Sequence, residues 1–378
     1  MDTKAVVRHV ETKSEWIRTS LRELVVQESP SEDRATVNAA MAIAARLAID
    51  LGGRVKRHKQ KSFGDVFELR FGPSRSSRKP LLLLGHLDTV WPIGTLAAMP
   101  WREEKGRYWG PGVLDMKAGV VMALAAVSTL KELKLSRPVT LLLNSEEEVG
   151  SPVSRAITER LALESAAVFV LEPGQGLAYK TARKGVGQYN VEVTGVGAHS
   201  GVDFQKGHSA VLELAKLVQT MSNFTNLERQ LTVNCGVVAG GTRSNVVASY
   251  AHAEIDVRIA KASDAEYVER LFRGLKVSDP HCKLAITGGI NRPPMERKPG
   301  TIALFKKARK LAAEIGFELD EAATGGGSDG NFTAALGVPT LDGMGAVGEG
   351  AHASHEHVVI EHLVPRTALL AAMIASVE

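Results

Sequence analysis

A chain of 378 residues is longer than one hydrophobic core usually supports, so its length argues for two domains. Its 44% hydrophobic and 23% charged residues are ordinary for a soluble globular protein, and a formal charge of +4 gives no case for nucleic acid. Two cysteines, Cys235 and Cys282, cannot build a disulfide framework and lack metal-ligand spacing, so both read as reduced thiols in a sheet.

The N-terminus is charged throughout, with no apolar stretch leading to a small-residue cleavage site, and does not read as a signal peptide. No apolar run approaches the ~20 residues of a membrane span, so a soluble, cytoplasmic protein is expected. Helical periodicity through Val6, Val10, Ile17, Leu21 and Leu24 predicts one helix from Thr3 to Val26, broken by Ser29, Pro30 and Ser31. A second helix through Val37, Met41 and Leu47 closes at Gly52 and Gly53. Strands are expected at 54–58, 65–70 and 80–85, then a loop from Trp91 to Gly112 and an apolar helix over 120–133. A buried strand over 139–143, a helix over 153–163 and a strand over 167–171 follow. Strands alternating with helices predict an α/β catalytic domain on a mostly parallel sheet, with its chemistry at the strands' C-terminal ends.

The texture changes after Lys180. Strand, helix, strand, strand, helix, strand is the order expected between Tyr189 and Thr287, a ferredoxin-like βαββαβ sandwich. An inserted α+β domain over 183–292 therefore interrupts a first domain made of 1–182 and 293–378. The resumed part carries a helix over 302–315, the loop Gly325–Asp329 and a final helix over 365–377.

The chemistry-bearing residues fall at strand ends. The apolar run Leu81–Leu84 stops at Gly85 and delivers His86 and Asp88, which alternation puts on one side of the chain. Asp115 reads equally as an N-cap, Glu146–Glu148 as a solvated acidic turn, and Glu172 before Pro173 as a loop residue. Their conjunction reads otherwise, because acidic groups crowded at one sheet end repel unless cations neutralise them. Oxygen and imidazole ligands without thiolate suit zinc, with cobalt or manganese as substitutes. A dinuclear site needs one bridging carboxylate and another, outside the ligand set, free to move a proton. Gly185 and Gly187 precede a strand rather than opening a helix, so they do not form a phosphate cradle.

The motifs GHLDTV, GPGVLDMKAG, NSEEEVGS, LEP, GVGAHSG, GGGSD and GAHASHEHV, in that order, resemble the aminoacylase and glutamate carboxypeptidase family of zinc metallopeptidases. RKGVGQYNVEVTG and GGGSD are most similar to its folate-hydrolysing glutamate carboxypeptidase branch. The resemblance implies two zinc ions per subunit: His86 and Glu172 on one, Glu148 and His352 on the other, Asp115 bridging. It makes Glu147 the general base and Asp88 the orienter of His86, and implies a cis peptide after Asp115. His355 is the alternative to His352, since Ala353 stands where the family has Ser or Thr and His357 where it has an aromatic. It further implies that His199 donates to the oxyanion in a partner subunit, that Arg292 and Asn245 bind a substrate carboxylate, and that Ser328 adds donors. Arg243 and Lys184 read as solvated charges or further basic contacts.

The function expected is a zinc-dependent carboxypeptidase or amidohydrolase releasing a C-terminal amino acid, glutamate by family texture. It is expected to work as a homodimer through the inserted domain, without nucleic-acid or membrane partners. An N-acyl-amino-acid deacylase or dipeptidase on the same site is the alternative, and a metal-free binding protein the reading from another class.

Overall fold

Strand Leu81–His86 shows why the first sheet is interior structure: all six residues are buried, and its leucines serve two cores. Leu81 and Leu83 join the large core on one face of the sheet, while Leu82 and Leu84 join a smaller one on the other. Such a strand reads as a continuous apolar run because both faces are covered. In the computed structural model, which describes residues 1–377, it pairs in parallel with Val139–Asn144 on one side and Ala167–Val170 on the other. The full order is Arg54–His58, Val66–Phe71, Val139–Asn144, Leu81–His86, Ala167–Val170, Thr340–Leu341. The sheet is parallel through its centre and antiparallel at the Arg54–His58 edge. Glu378, the last residue of the expected first domain, lies outside the described residues.

Helix Ala118–Glu132 packs on the large core and is buried from Ala118 to Leu130. Burial of one Val, Leu or Met there contributes about 1.5–3 kcal/mol. Against expectation, the helical stretch Val113–Glu132 is long and apolar enough to cross a membrane, but nearly all of its apolar part lies buried inside the protein, which accounts for its composition. Helices Thr3–Glu11, Ser14–Val26, Arg34–Asp50, Pro299–Ile315 and Leu363–Ser376 contribute to the same core.

Two local expectations are corrected. The first helix is two, Thr3–Glu11 and Ser14–Val26, because the Thr12 and Ser14 hydroxyls donate back to the His9 and Glu11 carbonyls at 2.7 and 2.8 Å and close a turn between them. The stretch 91–112 is no simple loop. Arg102–Glu104 and Arg107–Trp109 form a hairpin about Lys105 and Gly106 (φ 53° and 72°), and it pairs with His357–Val359, which pairs with Gly348–Glu349.

The chain divides into two compact units, the first comprising Met1–Ala182, Arg297–Thr324 and Ser328 onward, the second Arg183–Glu296 with Gly325–Gly327. The second unit has a four-stranded antiparallel sheet ordered Thr232–Gly240, Tyr250–Ile259, Gly185–Thr194, Lys283–Arg292. Helices Ala210–Ser222 and Ser263–Arg273 contribute to its one core, where Tyr189 stacks on Phe272 at 3.8 Å between centroids. Burial alternates along Gly185–Thr194 and Tyr250–Ile259, the period-2 pattern of a sheet covered on one face.

Candidate metal centre

The site lies in the first unit, at the C-terminal ends of the central strands. Gly85 admits the packing beneath His86: a Cβ there would lie 3.2 Å from Val120 Cγ2 and 3.3 Å from Met116 Cε. His86 is 1% exposed. Its Nδ1 faces Asp88, 3.0 Å from the backbone carbonyl and 3.4 Å from Oδ1. That contact leaves Nε2 for the site. Asp115 Oδ1 stands 3.4 Å from Nε2 and Glu172 Oε1 3.7 Å.

The two oxygens of Asp115 face different imidazoles, Oδ1 toward His86 and Oδ2 3.4 Å from His352 Nε2. His352, at φ +60° and half exposed, also brings Nε2 to 3.2 Å from Glu148 Oε1. The peptide bond between Asp115 and Met116 is cis. Glu147 and Glu148 stand on a single helical turn after Val139–Asn144. Ligand atoms of His86, Asp115 and Glu148 lie within 4.8 Å of one another, as do those of His86, Glu147 and Glu172.

These residues fit a cation. His86 Nε2 and Asp115 Oδ1 are buried with no hydrogen-bond partner among the described residues. Buried polar atoms are ordinarily satisfied, and a pair left open beside two more carboxylates is a candidate ligand set. The imidazole-and-carboxylate donors suit zinc. Electrostatics agree. Burial lowers the His86 pKa, but the carboxylates of Asp115, Asp88 and Glu172 outweigh it and hold the imidazole well above its usual value. Burial would raise Asp115, yet His352 and His86 depress it far below the carboxylate range. Burial pushes Glu148 up to about 6 against the pull of His352. Asp115 and Glu148 raise His352 to about 10.

Around these groups the structure adds what the sequence did not show. The Asp88 carboxylate accepts from Ser31 Oγ at 2.7 Å and from the backbone N–H groups of Glu147 and Glu148 at 3.1 and 3.2 Å. It therefore fixes the acidic turn as well as His86. Glu146 is no solvated charge: it is buried and accepts from the N–H groups of Val153 and Ser154 at 3.2 and 2.7 Å. Lys117 is buried too and donates to the Gln27 carbonyl at 2.9 Å.

The expected residues part company elsewhere. Of the three C-terminal imidazoles, His352 reaches the carboxylates. His355 is exposed, and His357 is buried against Trp109 with Nδ1 2.9 Å from the His355 carbonyl. Ser328, expected to offer donors to substrate, is fully buried, and both its donors are engaged within the fold: the hydroxyl to Asp342 at 2.6 Å, the N–H to Asn331 Oδ1 at 3.0 Å. In the second unit, His199 is exposed and accepts from Gly201 N–H at 3.1 Å, and the Asn245 carbonyl accepts from Ser200 N–H at 3.1 Å, so the two residues share one corner. Arg292 is buried at the end of Lys283–Arg292, past a register shift. Gly327 packs so close that a Cβ there would lie 3.0 Å from Arg292 Cδ.

An α/β fold with such a cluster at its strand ends offers a candidate metal site, and comparison with known proteins gives the class. Residues 82–376 match the model of peptidase family M20/M25/M40. Carboxypeptidase G2 of Pseudomonas sp. (strain RS-16) is 31% identical over 303 residues, 78% of this chain and 72% of that one. Acetylornithine deacetylase of Myxococcus xanthus is 27% identical over 375 residues, 95% of this chain and 97% of its own. Among solved structures, aminopeptidase PepT from Bacillus cereus superposes with a TM-score of 0.79 over 96% of this chain and 98% of its own, at 22% identity, a likeness of fold. The chain belongs to peptidase family M20/M25/M40. It is a hydrolase acting on amide bonds, in a family of metal-dependent enzymes that typically use zinc.

Proposed function

We propose that the protein is a zinc-dependent carboxypeptidase that cleaves the amide bond to a C-terminal amino acid, glutamate in preference. The observation that carries the metal chemistry is Asp115, each oxygen facing its own imidazole, with Glu148 and Glu172 alongside and His86 Nε2 left open. Two ions are proposed: one held by His86 and Glu172, the other by Glu148 and His352, with Asp115 shared. When bound, zinc polarises the scissile carbonyl and acidifies water. Glu147, within reach of the His86 and Glu172 ligand atoms, takes the proton of the attacking water and returns it to the leaving amine. Asp88 holds Glu147 in place through its backbone N–H and fixes the His86 ring. His199 is assigned to the oxyanion, and Arg292 and Asn245 to the substrate carboxylate.

The preference for glutamate rests on the likeness to carboxypeptidase G2. The likeness to an acetylornithine deacetylase over 95% of this chain favours a second reading, an N-acyl-amino-acid deacylase on the same residues. Rates on folyl-glutamate, N-acetyl amino acids and dipeptides, with elemental analysis of the protein, separate the two. Release of glutamate from folyl-glutamate at a kcat/KM well above the other substrates is expected; a preference for N-acetyl substrates selects the deacylase. A homodimer through the second unit is also proposed. Its edge strand Thr232–Gly240 leaves Val237 and Val238 about half exposed, a surface suited to a second copy. A monomer mass by light scattering at micromolar protein would remove that part of the reading.

A further inference from the structure

The segment Gly110–Asp115 is bent so that three peptide N–H groups converge on one point. Gly110 and Gly112 adopt φ of +151° and +69°, and a Cβ at either would lie 2.6 Å from Val25 Cγ1 or 2.5 Å from Thr89 Cγ2. At the point of convergence sits a carboxylate from far along the chain. Glu356 Oε1 accepts from Leu114 N–H at 2.8 Å and Asp115 N–H at 3.1 Å. Its Oε2 accepts from Gly112 N–H at 2.8 Å and Trp91 Nε1–H at 2.9 Å. Glu356 is 1% exposed, so these four donors replace the water such a group otherwise requires.

The turn that bears Glu356 also bears His352. Ala353 N–H donates to the Gly350 carbonyl at 2.8 Å and Glu356 N–H to the Ala353 carbonyl at 2.9 Å, fixing the spacing between the two side chains. One end of the turn sets His352 Nε2 3.4 Å from Asp115 Oδ2, and the other holds the peptide N–H of the same Asp115. Asp115 is thus held through its side chain and its backbone by a single short turn.

We infer that Glu356 is a positioning residue for the metal centre: by gripping the backbone at Asp115 it sets the distance between Asp115 and His352, and through it metal affinity and turnover, without touching substrate. The inference rests on the metal-centre reading above. Groups that orient ligands without binding the ion themselves typically account for a 10–100-fold effect on metal affinity or activity. A residue that served only the fold would lower stability and leave metal affinity alone.

The test compares wild type, Glu356→Gln and Glu356→Asp. Metal-free protein is titrated with zinc against a chromophoric chelator and with cobalt by visible absorption, and its unfolding midpoint is measured. The amide of Glu356→Gln points an N–H at N–H donors. Its zinc dissociation constant is expected to rise about 10–100-fold, with an altered cobalt spectrum, a lower kcat and a KM within about threefold. Glu356→Asp keeps the charge but falls a methylene short, and is expected to move the same quantities less, which keeps the test available if the Gln variant does not fold. Wild-type zinc affinity and cobalt spectrum in the variants overturn the inference, whatever the unfolding midpoint does. Wild-type protein that binds neither ion overturns the metal-centre reading, and this inference with it.

Discussion

The two sheets solve opposite problems. In the first unit the central strands Leu81–His86 and Val139–Asn144 are buried at every residue, so the apolar side chains that precede their last residues are spent on packing. The candidate site is displaced to the strand tips, at His86 and the turn with Glu147 and Glu148. In the second unit the two central strands bury alternate residues and keep an open face, and the functional candidates lie in corners and at strand ends: His199, Asn245 and Arg292. A doubly covered sheet makes a rigid frame for a metal centre, whereas a half-covered one leaves surface for a ligand or partner.

The largest effect that tests this contrast is metal removal. Chelation is expected to abolish turnover and zinc to restore it, and hydrogen exchange should loosen the strand tips around His86 and Glu148 while the second sheet keeps its protection. Equal loosening of both sheets would contradict the division of labour. Next comes Glu147→Gln, expected to retain metal and lose about 10²–10⁴-fold in kcat, the range of a general base. A variant within threefold of wild-type kcat, by about the same measure of a lost transition-state contact, would take the proton-transfer role from Glu147.

Truncation in the two sheets should differ just as clearly. Leu83 is fully buried, so Leu83→Ala is expected to cost about 2–5 kcal/mol of unfolding free energy. Val238 is 54% exposed, so Val238→Ala should stay within about 0.5 kcal/mol in the monomer, and weaken self-association if its edge strand meets a second copy. Denaturant unfolding and light scattering at matched concentrations measure the two. A large stability loss at Val238 would mean that the second sheet's exposed face carries the fold.

What was legible in the sequence follows the same division. The run Leu81–Leu84 ending in His86 announces a buried strand with a polar tip, because periodicity and its abrupt end are local properties. The βαββαβ order is legible from alternation and helical spacing, and Lys283–Arg292 only runs longer than expected. The small sheet joining Arg102–Trp109 to Gly348–Val359 was not, because its pairing spans the chain, although Lys105 and Gly106 between charged and aromatic residues carry a hairpin signal. Nor were the Asp88 contacts to the Glu147 and Glu148 backbone, or the Glu356 contacts to Gly112, Leu114 and Asp115. A carboxylate that binds peptide N–H groups leaves no pattern in the partner's side chains. At Ser328, three glycines beside a hydroxyl suggest a ligand loop, while in the structure the hydroxyl donates to buried Asp342.

The last effect concerns the acid side of stability in the second unit. Glu213, buried on helix Ala210–Ser222, accepts from Lys216 Nζ and from Ser278 N–H, both at 2.5 Å. Burial would raise its pKa, but Lys216 and the Ser278 and Asp279 N–H groups prevail and hold it below the ordinary 4.5. A carboxyl whose folded pKa is depressed binds fewer protons folded than unfolded, so its contribution is fully present above about 4.5 and fades as pH falls through the folded value. Glu213→Gln is therefore expected to lower stability at pH 7 by about 1–3 kcal/mol, the scale of a lost charged hydrogen bond. The gap from wild type should close as pH drops below 4.5. Urea unfolding across that range reads it directly, and a gap independent of pH would mean that Glu213 acts through packing rather than charge.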